Sequence, residues 1–351
     1  MQIDLIQEAR RQAEICNACR YCESYCSVFP ALHRERAFAD GDITQLANLC
    51  HNCRGCYYAC QYTAPHEFDL NLPKALAEVR RDSWESFAWP QPVARKFHTH
   101  GSAIALALVV GLALLFVVIR SIGSAGGIGF YAALSHNAMV AIFMPAFLFP
   151  LASIGFSLRR YWQSVGGKAI KLAHVTSALR DVAKMKDLAA GHGDGCNFED
   201  EDRFTHARRY AHQAIMYGFF LCFASTSTGT IMHYVFDIQA PYPLWSLPKI
   251  FGVTGGILLT AGCGWMAWLK LRSERELGDA GAWGGDLGFI ALLGFVGFSG
   301  LVLYVLGVTA AMPTLLAFHL GAVLSFFVLT PFTKMAHGFY RLAAMVRNAQ
   351  S

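Results

Sequence analysis

Charge is scarce in this chain: 15% of its 351 residues are Asp, Glu, Lys or Arg, where soluble proteins carry about 25%. The shortage is local. Residues 1–100 are polar, and the remainder of the chain runs mostly in long apolar stretches. Those stretches contain no Asp or Glu, with Asp237 and Asp286 falling just outside them. Transporters and proton pumps often carry carboxylates inside the membrane, so their absence argues against both. Alternating strand patterns are also missing from the first hundred residues, which points to helices there. Met1–Arg20 is polar and helix-like without an apolar core, so no secretory signal is expected. No glycine-rich loop follows a strand; neither Gly123–Gly129 nor Gly191–Cys196 is a dinucleotide fingerprint. The second reads as a flexible turn or an anion-binding nest. With a net charge of only +5, the chain is not expected to bind nucleic acid, and no nucleotide-binding domain is visible.

What is present first is apolar length. Six stretches reach the roughly 17–25 residues that span a bilayer, near 102–120, 138–158, 213–236, 249–269, 287–307 and 314–334. Trp89, Trp162, Trp245 and Trp268 fall near their ends, as interfacial aromatics do. Of 29 Lys and Arg residues, 27 lie in the head, the loops 159–211 and 270–286, or the tail; only Arg120 and Lys249 lie on the other side. The basic side faces the cytoplasm, which puts both termini and the polar head on the cytoplasmic side of the inner membrane. The expected division is a head and connector over 1–97 and a six-span membrane domain over 98–351. Within the loop 159–211, Ile170, Leu172, Val175, Leu179, Val182, Met185 and Leu188 recur at helical spacing among lysines and arginines. They suit a helix lying at the membrane interface beneath the head, or a docking site for a partner.

The second feature is cysteine. Eight of eleven fall in two copies of C-x2-C-x2-C-x3-C: Cys16, Cys19, Cys22, Cys26, then Cys50, Cys53, Cys56, Cys60. Pro30 and Pro65 stand a few residues behind. That run is the ligand pattern of two [4Fe–4S] clusters, in which the displaced fourth cysteine ligates the other cluster. The expected sets are Cys16, Cys19, Cys22 and Cys60, and Cys50, Cys53, Cys56 and Cys26. Zinc sites favour two separated C-x2-C pairs, and disulfides need an oxidising compartment. Ile3, Leu5, Ile6, Ala9 and Ala13 at helical spacing precede the first motif, and Asp42 can cap a helix that runs into Cys50. An amphipathic helix and a connector containing Pro90 and Pro92 then lead over Leu72–Val93 to the first span. A small helical ferredoxin-like head fits. The remaining thiols include Cys222 and Cys263, which read as packing residues within spans.

Four of thirteen histidines bracket two spans: His212 and His233 the third, His319 and His337 the sixth. The spans run oppositely, so His212 and His337 share the cytoplasmic level while His233 and His319 share the outer one. At about 100° per residue, positions 18 apart return to one face and positions 21 apart differ by about 60°. Two stacked bis-histidine sites roughly 27–31 Å apart would suit six-coordinate b-type haems. His136 competes for the outer site, and His98 and His100 for the inner. Gly218, Gly229 and Gly321 would let a porphyrin approach the backbone, or serve helix packing. The hydroxyl run Ser225–Thr230 would line a cofactor or quinone, or join helices.

The motifs CNACRYCESYC and CHNCRGCYYAC, with PHEFDLNLPKALAEVRR, GHGDGCNFEDEDRF and YGFFLCFASTSTGTIMHY, resemble the tricarballylate utilization protein B family of citrate-utilization iron–sulfur proteins. The resemblance covers nearly the whole chain. It implies a membrane partner of an FAD-dependent tricarballylate dehydrogenase, which reoxidises the reduced flavin and passes electrons towards quinone. A similar module is fused to a flavoprotein in an aerobic cobalamin-ring-contraction protein, where haem is also associated. The four-histidine pattern is similar to the gamma subunit of respiratory nitrate reductase. The resulting expectation is all-α: a two-cluster head on a six-helix bundle of that cytochrome b type, active with a flavoprotein, quinone and the lipid bilayer as partners. A redox or iron sensor is the competing class, but no kinase or DNA-binding output is attached. A subunit that oxidises quinol and feeds a cytosolic acceptor would use the same parts.

Overall fold

In the computed structural model, which describes residues 4–122 and 134–350, all regular elements are helices. The isolated bridge between Cys196 and Thr205 is the only β interaction among the described residues. Ile3 and the loop Gly123–Gly129 lie outside the described residues.

The head is built from α1 (Leu5–Cys19), α2 (Val28–Leu32), α3 (Asp40–Leu49), α4 (Gly55–Tyr58) and α5 (Leu72–Phe87). The Asp4 carboxylate starts α1 by accepting the Ile6 N–H at 3.0 Å, and Arg20 ends it in the left-handed region at φ 58°. The first motif therefore straddles a helix end, with Cys16 and Cys19 on the last turn of α1 and Cys22 and Cys26 beyond it. Asp42 does not cap α3 as expected. The helix starts two residues earlier, and the Asp42 carboxylate reaches back from its third position to the Ala39 N–H at 2.9 Å, the acidic half of a capping box. α3 delivers Cys50 as its C-terminal cap. Asn52 and Arg54, at φ 50° and 68°, turn the chain sharply around Cys53 before α4 places Cys56.

Among the described residues, six helices are long and apolar enough to cross a membrane. After α6 (Gln91–Ile122) and α7 (His136–Ser164) comes α8 (Leu172–Lys184), the amphipathic helix of the loop; next come α9 (Ala207–Phe236), α10 (Leu247–Arg272), α11 (Trp283–Leu306) and α12 (Met312–Leu329). Three boundaries depart from expectation. α5 stops at Phe87, because Ala88 turns extended ahead of Pro90, and α6 already begins at Gln91 and breaks at His100 (φ −126°). Asp286 lies inside the candidate span Ala280–Leu306, not outside it. There its Oδ2 accepts from Lys270 Nζ at 2.9 Å and Lys334 Nζ at 3.0 Å, and it sits in the first turn of α11, where the helix dipole favours an anion.

The third departure is in the last span. Pro331 lacks an N–H and its ring collides with the preceding turn, so α12 ends at Leu329. Thr330–Phe332 tightens into a 3-10 turn, Thr333 is extended, and α13 (Ala336–Asn348) starts afresh. His319 and His337 thus sit on different helices, and the single stripe expected from their 18-residue spacing does not exist.

α9 and α10 touch backbone to backbone. A Cβ on Gly218 would lie 2.6 Å from the Leu259 nitrogen, and one on Gly255 2.8 Å from the Cys222 nitrogen. Gly321 similarly admits Ala113 of α6, its Cβ position 2.8 Å from that nitrogen. Small residues at such crossings let membrane helices approach closely.

The head does not close its core by itself. Leu32, Ile43, Leu46, Leu76 and Val79 bury against Tyr161 from α7 and Tyr340 and Ala344 from α13. Tyr161 donates to Gln45 Oε1 at 2.6 Å, and Gln45 Nε2 donates to the Ala344 carbonyl at 2.8 Å. Trp84 stacks on Tyr340, 5.8 Å between ring centres and 15° between planes. Shared apolar burial and satisfied buried hydrogen bonds hold the cysteine motifs in register with the membrane helices.

Candidate metal centre

The eight motif cysteines, all free thiols, border two cavities. Cys16, Cys19, Cys22 and Cys60 line one of about 200 Å³, bordered also by Tyr21, Tyr62 and Leu70. Cys26, Cys50 and Cys53 line a narrower second one, and Cys56 borders both. Each displaced cysteine therefore sits with the other motif's trio. Among the described residues, no three His, Cys, Asp or Glu side chains gather tightly enough for one metal ion; the thiols ring cavities instead.

Their electrostatics suit a group that brings its own positive charge. Burial, then the Cys60 charge, pushes the Cys16 and Cys22 thiols up to about 12. A hydrogen bond from Cys26 brings the Cys53 thiol down to about 6. Thiolates packed this closely repel one another, and iron would relieve that repulsion. Backbone N–H groups already point at two sulfurs, Asn52 at Cys50 Sγ and Tyr62 at Cys60 Sγ, each at 3.4 Å. The two sets differ in access. Cys19 is exposed and Tyr21 beside it is 69% exposed, whereas Cys50 and Cys53 are buried.

The loop between α8 and α9 closes over the second set. Gly191 N–H donates to the Tyr25 carbonyl and Asn197 N–H to the Cys53 carbonyl, both at 2.9 Å. The N–H groups of Gly193, Gly195 and Cys196 bond the carbonyls of Ala190, Ala189 and Thr205. Spent on protein carbonyls, they form neither a free turn nor an anion nest. Gly195 at φ 108° faces the Thr205 carbonyl with no space for a Cβ.

Four arginines complete this shell, and sequence reasoning missed them. Arg80 and Arg341 donate to the Cys50 carbonyl, Arg208 to the Asn52 carbonyl, and Arg54 to the carbonyls of Phe198 and Glu274. They come from positions scattered along the chain, so no local pattern announces them. The one available signal is that Arg208 and Arg341 each stand four residues from a singled-out histidine.

Of the histidines, the structure brings His212 and His337 together, with Nε2 atoms 3.4 Å apart and rings at 76°. His212 and His337 are therefore the residues that would hold a haem iron between them, parting to admit metal–imidazole bonds of about 2 Å. His337 Nδ1 is engaged by the Lys334 carbonyl, which leaves Nε2 to face its partner. Burial, then the His212 and Arg341 charges, holds His337 well below the usual histidine range, in the neutral form that ligates. The outer pair is not assembled. His233 stacks on His136, centres 4.2 Å apart and planes at 28°, and His136 Nε2 meets Tyr234 Oη at 2.8 Å. His319 Nδ1 instead meets Ser299 Oγ at 3.0 Å. His100 sits at the α6 break, and the His98 side chain lies outside the described residues.

The hydroxyls of the run are taken up by backbone carbonyls. Thr226, Ser227, Thr228 and Thr230 bond carbonyls one turn back on α9, and Ser225 crosses to the Pro248 carbonyl at 2.6 Å. Gly229 faces only the Tyr242 ring.

Two family models match this chain: Citrate utilization protein B over residues 97–351, and the Citrate utilization protein B Fer4-like domain over residues 9–85. Across 347 residues the chain is 39% identical to Citrate utilization protein B of Escherichia coli, an alignment covering 97% of this chain and 91% of that protein. No solved structure matches it.

Proposed function

Because the chain belongs to the citrate utilization protein B family, we propose that it is a membrane electron carrier of citrate or tricarballylate utilization. It takes electrons from a cytoplasmic FAD-dependent dehydrogenase and passes them to quinone. The observation that carries this reading is the order of the donor groups. An accessible thiol-lined cavity adjoins a buried one, and the buried one is tied through Arg208 and Arg341 to a histidine pair on α9 and α13.

Cys16, Cys19, Cys22 and Cys60 would hold one [4Fe–4S] cluster, Cys26, Cys50, Cys53 and Cys56 a second, and His212 with His337 one b-type haem. Bound there, these groups would store and release one electron at a time, between a flavin and a quinone that can each exchange two. The chain's own residues set the rest. Leu72 and Pro73 border both cavities and keep the wall between them apolar. The Asn52 and Tyr62 N–H groups offer hydrogen bonds to ligand sulfurs, one of the levers on cluster potential. The Lys334 carbonyl fixes the His337 tautomer. Exposed Cys19 and Tyr21 mark the side on which a protein donor can approach closely. His233 and His319 do not meet, so the reading carries a single haem on the inner pair. The basic residues orient the head and both termini to the cytoplasm.

Membranes from cells lacking this chain should lose flavoprotein-linked quinone reduction, while the isolated flavoprotein still reduces an artificial dye. Undiminished quinone reduction in those membranes would refute the reading.

A further inference from the structure

Arg208 stands four residues before His212 on α9, and Arg341 four residues after His337 on α13. Residues four apart share a helix face, so each helix presents an arginine and a histidine side by side. The histidines meet each other, while the arginines reach the second cysteine motif. Arg341 Nη2 donates to the Cys50 carbonyl at 2.6 Å, and Arg208 Nη1 to the Asn52 carbonyl at 2.9 Å. Arg208 also lies over the Phe198 ring at 4.2 Å. Arg341 donates to a neutral carbonyl, Arg208 to a neutral carbonyl and to the Cys196 thiol, and the buried Arg341 Nε has no hydrogen-bond partner among the described residues. Asp187, 3.8 Å from His51, offsets part of this charge. With Arg80, which donates to the same Cys50 carbonyl, three guanidinium charges are held against the carbonyls of this cysteine loop, and Arg208 and Arg341 are the two that share a helix face with the histidines.

We propose that Arg208 and Arg341 are positioning residues that raise the reduction potential at the site of Cys26, Cys50, Cys53 and Cys56 above that of the exposed site. One electron leaving the exposed cluster, which is oxidised, then reduces the buried cluster without a proton, beside His212 and His337. The physical reason is that gaining an electron makes a cluster more negative, and fixed positive charge in a low-dielectric shell stabilises that state. At the effective dielectric of protein interiors, one such charge shifts the reduced-to-oxidised ratio by roughly tenfold. A backbone carbonyl needs only a hydrogen-bond donor, so a purely structural role would not require charge here. The inference rests on the two-cluster reading above.

The test is a spectroscopically monitored redox titration of the purified full chain, with its clusters bound, for wild type and for Arg341→Met, Arg341→Lys, Arg208→Met and Arg208→Lys. Wild type should show two cluster signals of different potential; a single signal with about four iron atoms per chain overturns the two-cluster reading itself, and a single signal with about eight overturns the inference. Each Met variant should make the higher-potential cluster roughly tenfold harder to reduce and leave the other unmoved. The Lys variants should stay within about threefold of wild type, because lysine keeps the charge. Two signals that stay put in the Met variants, or that move together, overturn the inference. So does failure of both Met variants to load a cluster that both Lys variants load, because the arginines would then build the site without setting its potential.

Discussion

Cys60 and Cys26 show how little sequence neighbourhood says about which sulfurs a metal group can share. Cys60 lies four residues from Cys56 yet lines the cavity of Cys16, Cys19 and Cys22, and Cys26 hydrogen-bonds Cys53 in the other. The tight turns at Arg20 and Arg54 aim each trio one way and throw the displaced cysteine the other. Cys60→Ser is therefore expected to damage the same cluster signal as Cys16→Ser and to spare the one lost in Cys50→Ser. Bound iron should fall from about eight atoms per chain towards about four. If the Cys60→Ser spectrum instead matches that of Cys50→Ser, ligation is local to each motif.

At the scale of elements, the decisive feature is the break between α12 and α13. An unbroken helix would have carried His337 along the stripe of His319. Pro331 ends α12, and α13 sets off afresh with His337 facing His212. His337→Ala should abolish the low-spin haem absorbance, leaving no more than about a tenth of it, while both cluster signals persist. Retention of that absorbance in His337→Ala, together with its loss in His319→Ala, would move the haem to the outer level. The break also places Lys334 where it shares Asp286 with Lys270. A lone carboxylate inside a span is costly, and two partners at 2.9 and 3.0 Å offset that cost.

For the whole molecule, the head and the membrane helices form one packed body. Tyr161, Tyr340 and Ala344 fill the head's core, so the cysteines and the histidine pair keep a fixed separation, as the proposed electron transfer would require. The distribution of basic residues predicts how that body lies in the membrane. A cysteine placed at Trp245, which is 85% exposed between α9 and α10, should react with an impermeant reagent from outside intact cells. One placed at Gln350 should react only after the cytoplasmic face is opened. The reverse labelling pattern would invert the molecule and place the thiols where oxidation threatens them.

Sequence by itself determined what depends on local spacing and bulk polarity. The doubled cysteine motif, six apolar spans, the helical class and the one-sided basic charge are all written in short windows. Helix identity was legible because apolar periodicity spans many residues; helix ends were less so, because Asp42 at α3 and Pro331 at α12 turn on cap and ring geometry at single positions. Tertiary structure alone decided which groups meet. His233 pairs with His136 and not His319, Asp286 draws a lysine from either side, and Arg208 and Arg341 converge on one cysteine loop. The physical reason is distance along the chain. Contacts between different helices, here from 16 to 291 positions apart, depend on how whole helices cross and where they break, and no short window of sequence holds that geometry.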